Sequence, residues 1–101
     1  MFDVIVTKEA HNDALEAFLY YEEKQQGLGE RFLTHLRECY LSLAQHPTHY
    51  GFIDEDPLKI LRDLKIDKFP YVIVFEIREA SVVIYAVHNT FKHPINKLRK
   101  L

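Results

Sequence analysis

The sequence is short of cysteine, glycine and long apolar runs, and each shortage removes a class of protein. Its single cysteine, Cys39, allows no internal disulfide and no cysteine-based zinc site. That matches a reducing cytoplasm, the compartment expected for the chain. No apolar stretch approaches the roughly 20 residues of a membrane span. The longest candidate, Val72 to Val87, is interrupted by Glu76, Arg78 and Glu79. The opening Met1-Phe2-Asp3-Val4 lacks the basic and apolar regions of a secretory signal, so none is expected. Glycine-rich phosphate loops, serine-nucleophile signatures and helix-turn-helix patterns are missing too. No repeat, linker or low-complexity segment is visible.

What is present is an ordinary globular balance, 48% hydrophobic and 28% charged. The length of 101 residues fits a single domain over 1–101. A chain of this size buries roughly two thirds of its unfolded surface. The net charge of −2 conceals a split: residues 1–58 hold 4 basic and 11 acidic side chains, residues 59–101 hold 9 and 4. One reading is a positive flank for an acidic partner. The other is chance sorting of surface charge.

Phe2 to Val6 is a β-branched and aromatic run that reads as a strand. Thr7 is placed to cap a helix, and Glu9 sits in its first turn, where the macrodipole favours an anion. Ala10, Ala14, Ala17, Phe18 and Tyr21 make one apolar stripe on a helix running to about Gln26. Gly27-Leu28-Gly29 provides a left-handed break and a short link. A second helix over about Glu30 to Gln45 therefore returns antiparallel, with Phe32, Leu33, Leu36, Tyr40 and Leu43 as its stripe. Pro47 stops it.

Residues 46–58 read as a loop carrying Asp54, Glu55 and Asp56. The period then changes to two, with Ile60, Leu64 and Ile66 on one face of a half-buried strand. Tyr71 to Ile77 is apolar on both faces at first and belongs centrally. A tight turn at Arg78 to Ser81 leads to Val82 to His88. Short links predict antiparallel pairing. The expected fold is α+β and two-layered: an N-terminal strand, then an antiparallel helical hairpin packed on an antiparallel sheet completed by three C-terminal strands. A short helix after Pro94 is also expected.

Four local signals in this order resemble the RelE/ParE superfamily of toxins from type II toxin–antitoxin (plasmid stabilisation) systems. They are Glu9 to Ala17 with Tyr20-Tyr21; Gly27-Leu28-Gly29-Glu30-Arg31-Phe32-Leu33; the helix end from Leu41 to Pro47; and Ile60, Arg62 and Leu64 followed by Lys68-Phe69-Pro70-Tyr71, Val72 to Phe75, Val87-His88 and His93-Pro94. The resemblance covers nearly the whole chain. It implies one of two activities, both without a metal or other cofactor. RelE-like members cut mRNA in the ribosome. ParE-like members poison DNA gyrase. Both are neutralised by a cognate antitoxin that folds over the toxin.

The Phe-Pro-Tyr pattern and the long hairpin look ParE-like. Where RelE-like enzymes carry an arginine early in the central strand, this chain has Tyr71. Near the C-terminus it has His88, Lys92 and His93 in place of the usual arginine and terminal tyrosine or histidine. The expectation is a ParE-like toxin. The alternatives are a metal-independent, ribosome-dependent mRNA endonuclease and a non-toxic interaction module. A homodimer is left open.

Metal-free RNA cleavage needs a base, an acid and cations around the phosphorane. The nuclease reading assigns these roles to His88 and His93, with Arg62 and Lys92 among the cations. The binding reading uses Arg62, Lys65, Lys68, Tyr71 and Lys92 to touch the partner. Each has a plain alternative: His88 as a satisfied strand-end histidine, the lysines as a solvated face, Tyr71 and Tyr85 as core rings with wet hydroxyls. Arg62 interrupts an apolar strand face. It either meets a partner's phosphate or carboxylate or pairs with a helix carboxylate. Pro47 is expected to keep His46 and His49 from aiming together, and no metal site is expected.

Overall fold

The computed structural model describes residues 1–91. Strand β1, Asp3–Val6, leads through Thr7 into helix α1, Lys8–Lys24. The Thr7 hydroxyl accepts the Ala10 N–H at 3.2 Å and donates to the Ile84 carbonyl at 2.8 Å. One residue thus caps the helix and pins its start to the sheet. Helix α2, Leu28–Gln45, follows after the break. Gly27 has φ +88, the left-handed region where a side chain would be strained. Gly29 is demanded by space: a Cβ there would lie 2.7 Å from the Phe18 carbonyl oxygen and 2.8 Å from its ring. The Glu22 carboxylate accepts the N–H groups of Gly27 at 2.9 Å and Gly29 at 3.0 Å. An anion from α1 therefore satisfies the positive end of α2, which locks the hairpin.

Strands β2, Leu61–Lys65, β3, Tyr71–Arg78, and β4, Ser81–Asn89, complete a sheet of order β1-β4-β3-β2. The three C-terminal strands pair antiparallel, as their short links require. The expectation of a wholly antiparallel sheet is corrected at β1, which runs parallel to β4 with Asp3 beside Ser81 and Val6 beside Ile84. A short link fixes antiparallel pairing only between consecutive strands. β1 reaches the others through both helices and escapes that constraint. The result is two helices on a four-stranded mixed sheet, an α+β architecture.

Phe32, Leu36 and Leu43 of α2, with Ala10, Ala14 and Ala17 of α1, pack on Tyr71, Ile73 and Phe75. A bulge leaves Tyr85 as an extra residue, because Phe75 pairs with Ile84 and Val74 with Ala86. The side-chain alternation of β4 flips there. Val82 and Ile84 face the helices, and the next residue to do so is Val87. On the opposite face Ile53 covers Val72, Val74 and Ala86.

Ile53 comes from the loop before β2, which folds back along that strand. Phe52 bridges to Arg62, and the Ile53 N–H donates to the Leu61 carbonyl at 2.9 Å. Asp56 organises the return. Its buried carboxylate accepts the N–H groups of Leu58, Ile60 and Leu61 at 3.0, 2.8 and 2.7 Å. Because those amides are taken, and because Lys59 turns the chain at φ 56, the strand starts only at Leu61. Ile60, expected on a buried face, is exposed.

Candidate partner-binding surface

Four of the five residues assigned to partner binding lie among the described residues, and they do not converge. Arg62 donates to the Tyr50 carbonyl at 2.7 Å and lies 4.0 Å over the Phe52 ring. Its partners are a neutral carbonyl and an aromatic face, and it secures the folded-back loop. The Lys65 ammonium reaches the carbonyls of Ile66 at 3.3 Å and Phe69 at 3.2 Å, closing the β2–β3 turn. Lys68 occupies that turn at φ 70. Tyr71 is a core ring against Tyr21 and Phe32. Burial pushes its phenol up, partly opposed by the hydrogen bond from Asn89.

His88 is buried on the sheet face away from the helices, paired across from Val72. Arg62, paired with Phe75, points to the other face. Strand alternation therefore separates the two described members of the nuclease set. Lys92 and His93, and the helix expected after Pro94, fall outside the described residues. So does most of the positive excess. Residues 59–91 carry five basic and four acidic side chains, and residues 92–101 carry four basic and none acidic.

His46 and His49 do come together, contrary to expectation, but stacked plane to plane with centroids 4.7 Å apart. Rings in that arrangement do not aim their nitrogens at one point. Among the described residues no three His, Cys, Asp or Glu side chains could share a metal ion. Burial first, then the nearby Glu38 and Asp67 charges, pushes the Cys39 thiol up to about 11, which makes it an inert small hydrophobe.

The feature shaped for a partner lies on the helical side. A groove of about 390 Å³ runs between α1 and α2, lined chiefly by Val6, Leu15, Phe18, Leu33, Leu36 and Tyr40. Its polar members are His11 and Arg37. It continues through the shared residues Val6, Arg37 and Tyr40 into a second depression of about 570 Å³. There Phe2 and Val4 of β1 face Leu41 and Ala44 of α2. Burial, then the Cys39 and Asp13 charges, raises the Tyr40 phenol to about 12, so it stays neutral at physiological pH. Leu15, Leu19 and Leu41 stand exposed beside this path. The apolar spacing of the helices foretold their buried stripe. It gave no sign that the same helices also keep an outward apolar channel.

The amino-acid sequence matches the family model described as "ParE toxin of type II toxin-antitoxin system, parDE" over residues 4–90. The chain belongs to the ParE toxin family. Among solved structures it is similar to a chain of the chromosomal ParDE toxin–antitoxin system from P. aeruginosa, at 18% identity and a TM-score of 0.77. The alignment covers 88% of this chain and 96% of that one. No curated protein matches the sequence. As a ParE-family chain it comes with a two-helix, four-stranded fold, and none of its described helices is long and apolar enough to cross a membrane. Three organising residues of this family member escaped the sequence reading: Glu22, Asp56 and the bulged Tyr85. A carboxylate seven residues before Gly29 and an aspartate two before Leu58 look like ordinary surface charge until the turns they serve are known.

Proposed function

We propose that this ParE-family chain is a cytoplasmic toxin that inhibits a replication enzyme, DNA gyrase in the first instance, by binding it. We propose further that its cognate antitoxin silences it by laying an amphipathic helix in the channel between α1 and α2. The observation that carries the reading is that channel: apolar along its length, with Arg37 and His11 as its polar members. A helix with one apolar stripe and acidic flanks fits it. The separation of Arg62 from His88 across the sheet supports binding over RNA cleavage.

The test is to induce the chain alone while following DNA replication and mRNA integrity separately. Stalled replication with intact transcripts is expected. Cut transcripts at normal DNA supercoiling would favour the endonuclease instead, and normal growth would favour a non-toxic module. In the same strain, Leu15→Glu should leave toxicity intact and weaken rescue by the adjacent small gene's product. Leu15 is exposed, so folding should survive, and removing a central apolar anchor costs on the order of 2 kcal/mol of binding.

A further inference from the structure

β1 is an outer strand of the sheet, with β4 on one side only. The N–H groups of Asp3 and Thr7 donate to Ala80 and Ile84 of the neighbouring β4 chain segment, at 3.0 and 3.1 Å. Backbone groups alternate along a strand, so Val4 and Val6 turn their N–H and C=O groups the other way. Phe2 faces that side too, where its N–H is taken by the Ala44 carbonyl of α2 at 2.7 Å. Among the described residues, Val4 and Val6 are left as the open positions. The strand between Asp3 and Val6 contains no proline, lysine or bulge, the usual guards of an edge.

We propose that two copies of the free toxin pair β1 to β1, antiparallel, about a twofold axis at Ile5, making one eight-stranded sheet. Only this register uses both open residues. Val4 of each copy exchanges two hydrogen bonds with Val6 of the other, giving four in all, with Ile5 opposite Ile5 as the non-hydrogen-bonded pair. Ile5 is 49% exposed in the single chain and would be covered by its own copy. Leu41, 65% exposed, overlooks the same edge from α2. The charges agree with the symmetry. Asp3 opens the strand, while Lys8 follows its other end and Arg37 stands beside Val6. An antiparallel twofold sets the negative end of one strand against the positive end of the other. The inference concerns the chain alone and does not depend on the target enzyme or the antitoxin. Its failure would leave the proposed function untouched.

The experiment is sedimentation of the cell-free-synthesised chain over a range of concentrations, with hydrogen exchange at Val4 and Val6. A concentration-dependent dimer with both amides protected only in the dimer is expected. Ile5→Lys should weaken association by on the order of tenfold or more, since it sets like charges directly opposite. In a Cys39→Ser background, Ile5→Cys should cross-link under mild oxidation. Cα atoms of such a pair are about 4.5 Å apart, within the roughly 4.4–6.8 Å that a disulfide spans. Asp3→Cys, placed opposite Thr7, should not cross-link. A chain that stays monomeric overturns the proposal, whether its Val4 and Val6 amides are labile or are protected by another part of the same chain. So does a dimer indifferent to Ile5→Lys.

Discussion

The two edges of this sheet are finished differently. At the β2 edge, residues 51–53 lie alongside as a partial extra strand, held by Arg62 and by the carboxylate of Asp56. The chain closes that edge itself. At the other side β4 outruns β1, and its uncovered stretch is closed by the Asp13 carboxylate, which accepts the Val87 N–H at 3.1 Å. Along β1 only Phe2 is covered, by the Ala44 carbonyl of α2, and among the described residues Val4 and Val6 stay open where the apolar channel between the helices reaches the edge. A small protein has ample means to protect a strand edge, and this one applies them at β2 and β4 but not beside its apolar groove. An edge left open against that background is a place for a partner.

The largest expected effect removes the comparison altogether. Gly29→Ala forces a methyl to within 2.7 Å of the Phe18 backbone oxygen, and backbone cannot swing aside as a side-chain tip can. The two helices must separate, and the channel with them. A destabilisation of about 3 kcal/mol is expected, at the upper end of overpacking costs, read as a lower denaturation midpoint with an unchanged slope. Antitoxin binding should fall with it. A Gly29→Ala protein of normal stability would mean that the hairpin is looser than its geometry requires.

The next effect is confined to the guarded edge. Asp56→Ala strips three backbone N–H groups of their acceptor at once and should free the loop from β2. The amides of Leu58, Ile60 and Leu61 should lose protection from exchange while those of β1 and β4 keep theirs. The same dependence has a pH signature. Hydrogen bonds from the Leu61 and Ile60 amides, the largest causes, hold the Asp56 carboxyl below its ordinary value. A depressed folded pKa gives stability that is full above the unfolded value and is lost as pH falls through the folded one. Acid below the usual aspartate range should therefore loosen this loop, and Asp56→Ala should flatten that part of the stability curve.

Much of this contrast was legible in the sequence, in proportion to how local its causes are. Thr7 as a cap, Gly27 as a left-handed break and Pro47 as a stop each act within a few residues, and each stands where the sequence put it. The continuous apolar run that opens Tyr71 to Ile77 and marks it as central holds, because burial on both faces needs apolar residues at successive positions. The direction of β1 was not legible, since nothing in Phe2 to Val6 records which way a strand 75 residues later will run past it. Nor was the fate of Ile60, whose face depends on an aspartate four positions earlier taking its amide. The candidate site was less legible still. The cations of 59–68 looked like a docking flank, but Arg62 and Lys65 are engaged by the chain's own carbonyls. A helical stripe reports the side that is buried. The outward channel arises only when two helices are set side by side.

The smallest effect tests whether Arg62 guards an edge or serves a partner. Its guanidinium gives one hydrogen bond to the Tyr50 carbonyl and stacks on Phe52, a ring otherwise open to solvent. Arg62→Ala removes both, while the three amide bonds to Asp56 still hold the far end of the loop. The cost should be about 2 kcal/mol, that of a hydrogen bond to a charged group with some packing. Arg62→Lys should recover only part, because an ammonium cannot lie flat on the ring while reaching the same carbonyl. Both variants should bind antitoxin as the parent does, since the channel runs between α1 and α2 and Arg62 does not line it. A variant of unchanged stability that has lost toxicity would reverse the assignment. It would make the β2 edge, for all its closure, the face the target sees.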